Sequence, residues 1–275
     1  MRMKRRYLPI LACVLAAALL SSCGRSGGSR HASGHPGHDA DKPAGESGLQ
    51  VSFSFASGRA AAKEESELVI RITDRHGVPV EMYEENHEKL LHLIVVDRDL
   101  AYFAHLHPDY RGGGEFAVAT AFPAGGSYKV FADFVPEGGS NETLGDWITV
   151  EGEKASRVGL KPDKRLIRAA DGKEVELALD EPKAGREIKL VFTIRDGKTK
   201  EEIDDLEPYL GAAGHVVILS ADAERYLHVH PIDEKATGPT AEFSTSFPHG
   251  GTYKIWGQFK HEGQVITAAF VVSVK

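Results

Sequence analysis

The chain of 275 residues carries 33 Lys and Arg against 40 Asp and Glu, a formal net charge of −7, and an acidic balance argues against nucleic acid as a partner. Its only cysteines are Cys13 and Cys23, and Met82 is the one methionine beyond the first three residues. A disulfide framework, a soft Cu(I) site and a blue-copper centre, which needs a cysteine ligand, are therefore all disfavoured.

At the N-terminus Arg2, Lys4, Arg5 and Arg6 precede an apolar run of 13 residues, Leu8 to Leu20, shorter than the ~20 that span a bilayer. The Leu20-Ser21-Ser22-Cys23 string that follows resembles the bacterial lipoprotein signal, in which cleavage precedes a cysteine that is then acylated, palmitate being a usual chain. Residues 1–22 are expected to be a signal peptide and Cys23 the lipidation site, which places the chain outside the cytoplasm, lipid-anchored to the bacterial cell membrane. An ordinary secretory signal with an unrelated cysteine is the alternative. Cleavage would remove those four positive charges and take the balance from −7 to −11, compatible with cations. Residues 23–48, rich in Gly, Ser, Pro and His without hydrophobic periodicity, read as the lipidated cysteine and a flexible tether. Within the tether His31, His35 and His38 either load a metal loosely or are solvated linker histidines.

From residue 49 the chain alternates short apolar segments with turn signals. Strands are expected near 50–55, 67–73, 89–96, 101–107, 115–122, 127–134 and 146–151, and the plan repeats at 174–179, 187–194, 214–220, 225–230, 241–247, 252–259 and 264–274. About seven strands per ~100 residues indicates an immunoglobulin-like antiparallel β-sandwich. The fold class is thus all-β, two tandem sandwiches at 49–151 and 173–275, joined by a charged linker at 152–172.

One polar pattern occurs in both copies with identical spacing: His92, His105, His107, Pro108 and, 123 residues later, His215, His228, His230, Pro231. Each is followed by a Phe-Pro-x-Gly-Gly-x-Tyr-Lys string, at Phe122 to Lys129 and Phe247 to Lys254, whose alternation beyond the tyrosine is strand patterning and whose tyrosine is placed to bond backbone at a sandwich corner. A two-residue turn at Arg98-Asp99 would set His92 opposite His105, and one at Ala221-Asp222 would set His215 opposite His228. His107 and His230, at i+2, share the same face. Three imidazoles then converge on each hairpin, a set suited to Zn(II) or Cu(II). The competing reading makes them structural histidines bonded to backbone or hydroxyl groups. His87 has no counterpart, Leu210 being aligned with it, and is either an additional ligand or a loop histidine; His76, His249 and His261 read as surface residues.

The strings His87 to Val96 with Tyr102 to Pro108, and Tyr209 to His215 with Leu227 to Pro231, resemble YtkA-like and other heavy-metal-associated extracytoplasmic domains of bacterial secreted and lipid-anchored proteins. The resemblance spans both modules and implies a β-sandwich with a link to copper or other metals. The expected role is a membrane-anchored, non-enzymatic protein that buffers or delivers Cu(II) or Zn(II), with metal-handling envelope proteins as partners. The alternative is a structural or interaction lipoprotein of the envelope. A two-cupin metalloenzyme is less well matched: Glu234 offers a carboxylate four residues after His230, but Arg111 holds that place in the first module, and Tyr128 and Tyr253 stand where its last histidine would be. No catalytic residues are expected.

Overall fold

The computed structural model describes residues 48–275, residue 228 excepted. Cys23, His31, His35, His38 and His228 thus lie outside the described residues. Among the described residues eighteen strands follow one another: β1 (Leu49–Phe55), β2 (Glu65–Asp74), β3 (Tyr83–Glu84), β4 (Leu91–Asp97), β5 (Phe103–Leu106), β6 (Asp109–Gly112), β7 (Glu115–Ala121), β8 (Gly126–Pro136) and β9 (Glu142–Val150) in the first module, then β10 (Ile167–Ala170), β11 (Lys173–Leu179), β12 (Glu187–Asp196), β13 (His215–Ser220), β14 (Tyr226–Leu227), β15 (His230–Pro231), β16 (Thr240–Ser246), β17 (Gly251–His261) and β18 (Gln264–Val274) in the second. Every strand pairing is antiparallel.

Each module is an immunoglobulin-like sandwich. In the first, the sheet β1-β2-β7-β6 faces a sheet in which β8 pairs with β4 and β9, β4 with β5, and β3 with the end of β8. The second repeats the plan with β10-β11-β12-β16-β15 against β14-β13-β17-β18. The period of two along β2 sends Leu68, Ile70 and Ile72 inward, where they meet Leu93, Val95, Val130 and Phe134 of the facing sheet. Leu190, Phe192 and Ile194 on β12 meet Ile218, Ile255 and Phe270 in the same way. Tyr128 and Tyr253 each donate their hydroxyl to a backbone carbonyl four residues upstream, at Ala124 (2.7 Å) and His249 (3.0 Å), as the corner reading expected. The stretch expected as a linker ends in β10, which extends the second module by pairing with β11.

The expected hairpin register is corrected by two residues. Ile94, not His92, stands opposite His105, because the connection is no two-residue turn. The loop after Asp97 is held by the Asp97 carboxylate, which accepts from Tyr102 N–H (2.8 Å), and by Leu100 N–H bonded to the Asp97 carbonyl (3.0 Å). A slip of two preserves the face on which every side chain points, where a slip of one would have reversed it.

Strand β4 is buried along both faces. Leu91, Leu93 and Val95 point into their own sandwich, while Ile94 and Val96 enter a third apolar cluster with Leu100, Phe131, Val217, Leu219, Ala223 and Trp256. That cluster joins the modules, and its contacts are reciprocal. Phe103 stacks on Trp256 (4.8 Å, 16°), and their counterparts in the other copy, Tyr226 and Phe131, meet at 5.6 Å. Lys129 pairs with Glu224 (3.1 Å), while its counterpart Lys254 donates to the Leu100 carbonyl (2.6 Å). Equivalent residues exchanging equivalent contacts are the mark of an isologous, twofold-like interface, formed here between two copies within one chain.

Candidate metal centre

The histidines collect where β4 and β13 meet across this interface. His92 on β4 is 1% exposed, and its cross-strand neighbour on β8 is Asp133. The Asp133 carboxylate accepts from Thr143 Oγ1 (2.9 Å) and Asn141 Nδ2 (2.7 Å). The second module repeats the arrangement: His215 on β13 neighbours Gln258 on β17, and Gln258 donates to Thr267 Oγ1 on β18 (3.2 Å).

Around His92 lie the rings of His105 (5.2 Å between centroids), His107 (5.1 Å), His215 (5.5 Å, stacked at 14°) and His87 (6.1 Å). His105 in turn lies 4.8 Å from both His107 and His215. Donor atoms of His92, His105 and His107 fall within 4.8 Å of one another. His87 sits in a tight turn, with Asn86 and Lys89 bonded to each other through backbone (2.9 and 3.1 Å) and positive φ at both His87 (49°) and Glu88 (63°). The aligned turn at Leu210 and Gly211 has the same form, φ 56° and 80°, so the position is set by turn geometry in both copies.

Proton placement within the cluster is constrained. His92 Nε2 lies 2.8 Å from the Asn86 carbonyl, and His105 Nδ1 lies 2.8 Å from Gln258 Oε1. Both partners are acceptors, so each neutral ring spends its single N–H on them. With the Gln258 amide oriented in this way, the remaining nitrogens, His92 Nδ1 and His105 Nε2, face each other at 3.0 Å as two lone pairs. Two more ring nitrogens, His107 Nε2 and His215 Nε2, are buried without a hydrogen-bond partner. Burial, reinforced by the neighbouring imidazoles, holds His105 down to about 3 and His107 to about 4, and keeps His215 well below the ordinary histidine range. His92 is lowered too, chiefly by burial, with the Asn86 carbonyl and Asp133 opposing. The rings are therefore neutral at neutral pH, the state in which imidazole ligates a metal.

The structure brings His92, His105 and His107 together; of the second expected triad it places His215 and His230 apart, His228 lying outside the described residues. His215 turns toward the first module, whereas His230 is exposed on β15, paired with β16 in the opposite sheet. In the second module His230 is already paired with β16, whereas in the first β5 runs to Leu106 and β6 starts only at Asp109, so His107 remains with the cluster and its counterpart does not. The sequence reading missed Asn86, Asp133 and Gln258. The last two carried a signal, a polar residue at the same place in each copy within an otherwise apolar strand. His261 is bonded to Asp205 (3.0 Å) away from the cluster.

The family profile described as a domain of unknown function, DUF8832, matches the chain twice, over residues 44–152 and 168–275. That supports the duplication, while the finer likeness to YtkA-like, heavy-metal-associated domains draws no support from it. No curated protein matches the chain. Similar solved structures include the Escherichia coli adhesin FdeC (15% identity, 82% of this chain and 64% of that one, TM-score 0.27), Yersinia pseudotuberculosis InvD (16%, 82% and 57%, 0.27) and the titin immunoglobulin tandem A164-A165 (10%, 82% and 96%, 0.21). This chain spans about three fifths of the length of the first two, covering 64% and 57%. At these scores the likenesses bear on neither role nor partner.

Proposed function

Because the chain belongs to the DUF8832 family, a domain of unknown function present here in two copies, its role must be read from its chemistry, and we propose that it is a non-catalytic protein binding a divalent transition metal, Zn(II) or Cu(II), at the inter-module histidine cluster. The observation that carries this reading is the 3.0 Å approach of His92 Nδ1 and His105 Nε2, both left bare when the outward nitrogens of their rings donate to Asn86 O and Gln258 Oε1. Two lone pairs at that distance repel unless a cation lies near both. Nitrogens each ~2.0–2.1 Å from a tetrahedral ion stand about 3.3 Å apart, so a small shift would admit one. The outward N–H groups, held by Asn86 O and Gln258 Oε1, are oriented as metal-ligating histidines usually are. The lipoprotein-like N-terminus supports placing this role outside the cytoplasm, anchored through Cys23 and serving to buffer or deliver metal among envelope proteins.

Calorimetric titration of Zn(II) and Cu(II) into the chain carrying His31→Ala, His35→Ala and His38→Ala tests the reading. Stoichiometric binding is expected, falling by at least two orders of magnitude in His105→Ala and His107→Ala. A chain that binds neither ion overturns it.

A second reading has its own support. Turning the Gln258 side-chain amide would offer His105 Nδ1 a donor, after which His105 Nε2–H could bond His92 Nδ1 and the histidines would form a neutral structural network. The protein would then be a structural or interaction module. Titration with no heat, together with His105→Ala lowering stability, would favour it.

A further inference from the structure

We infer that the metal site belongs to the interface rather than to either module: one ion is held per chain, with His215 supplying the fourth imidazole, and loading it clamps the two sandwiches together. This rests on the metal reading above. The duplicated motif would ordinarily give two equal sites, but the reciprocal interface brings the paired histidines of the two copies together, His92 stacking on His215 at 5.5 Å. His230, which a second site would need, is exposed on the opposite sheet.

The contributions are unequal. The first module brings His92, His105 and His107, the group whose donors already lie within 4.8 Å of one another. The second brings His215, whose ring is 4.8 Å from that of His105 and whose Nε2 is buried without a partner. It also brings Gln258, cross-strand neighbour of His215, which fixes the outward N–H of His105. Three imidazoles leave one tetrahedral position open, and a fourth closes it, as in sites that hold metal for structure rather than catalysis. The His215 ring has to swing toward the group, so ligation would draw β13 toward β4.

The experiment uses the full chain with the three tether histidines replaced by alanine, Zn(II) as the probe, and His215→Phe, which keeps an aromatic ring against His92 but removes the donor. Zinc K-edge absorption should count four imidazoles on one ion per chain, and three in His215→Phe with at least tenfold weaker binding. Zinc should slow amide exchange on β13 and β17 in the parent, and this protection should vanish in the variant. Parent-like affinity and coordination in His215→Phe, three imidazoles in the parent, or two ions per chain each overturn the shared site while leaving the metal reading intact. Failure of the parent to bind zinc overturns the shared site, and only failure to bind copper as well removes the metal reading. Should His215→Phe fold poorly, the imidazole count in the parent still decides.

Discussion

A polar side chain buried in an apolar strand needs partners, and Asp133 and Gln258 meet that need at equivalent places with different chemistry. Asp133 brings a carboxylate near His92, which works against the lowering caused by burial. Gln258 brings no charge near His215, and His215 is held well below its ordinary range. The two copies have thus diverged at this pair so that the amide, not the carboxylate, reaches across to His105 (2.8 Å). Gln258→Leu preserves volume but leaves His105 Nδ1 without a partner. An unsatisfied buried group costs about 1–3 kcal/mol, so urea unfolding of the variant should show a loss of that size. Thr267→Val, which removes only the outer bond to Gln258, should cost less, about 0.5–1.5 kcal/mol. Equal losses would mean that His105 gains nothing from the amide.

At the scale of elements, strands β4, β8, β13 and β17 carry the molecule, because each serves a sandwich with one face and the interface with the other. Truncating Trp256 to Ala should cost about 3–5 kcal/mol, as large-to-small core changes do. The paired design makes a sharper statement: a double-mutant cycle between Phe103→Leu and Trp256→Leu should return a coupling of about 0.5–1.5 kcal/mol, and the Tyr226 and Phe131 cycle one of the same sign. A coupling of zero in both would reduce the reciprocity to coincidence of shape. Much of this layout was legible in the sequence. Alternation and turn residues located the long strands, and the two-residue spacing put the first three histidines on one face even though the hairpin register slipped. The runs of Leu91 to Val96 and His215 to Leu219, apolar on both sides, showed that a second buried face existed but not what covered it. The covering surface lies over a hundred residues away in the chain, and no local period encodes that. Strands of two to four residues, β3, β6 and β15, are shorter than any period can reveal. The early crossing at β15, which separates His230 from His215, was hidden for the same reason.

For the whole molecule the cluster imposes a dependence on proton concentration that follows from burial alone. In the unfolded chain an imidazole takes up its proton near 6.5, while in the fold His107 stays neutral to about 4 and His105 to about 3. Between those limits the unfolded state binds more protons than the native one, so its free energy falls relative to the fold. Stability should be steady above pH ~7, decline as pH drops through 6.5 toward 4, and level off, as far as these groups are concerned, once they charge in the fold. Because His92, His105, His107 and His215 lie at the seam between the modules, the loss falls on their docking first. Urea midpoints measured from pH 7.5 to 4 should therefore move steadily downward, and replacing His105 and His107 together by Phe should flatten that slope even if it lowers the midpoint at pH 7.5. Zinc should steepen the slope, since protons displace the ion from the same nitrogens as they destabilise the fold. A slope unchanged in the double variant would place the acid sensitivity outside His105 and His107.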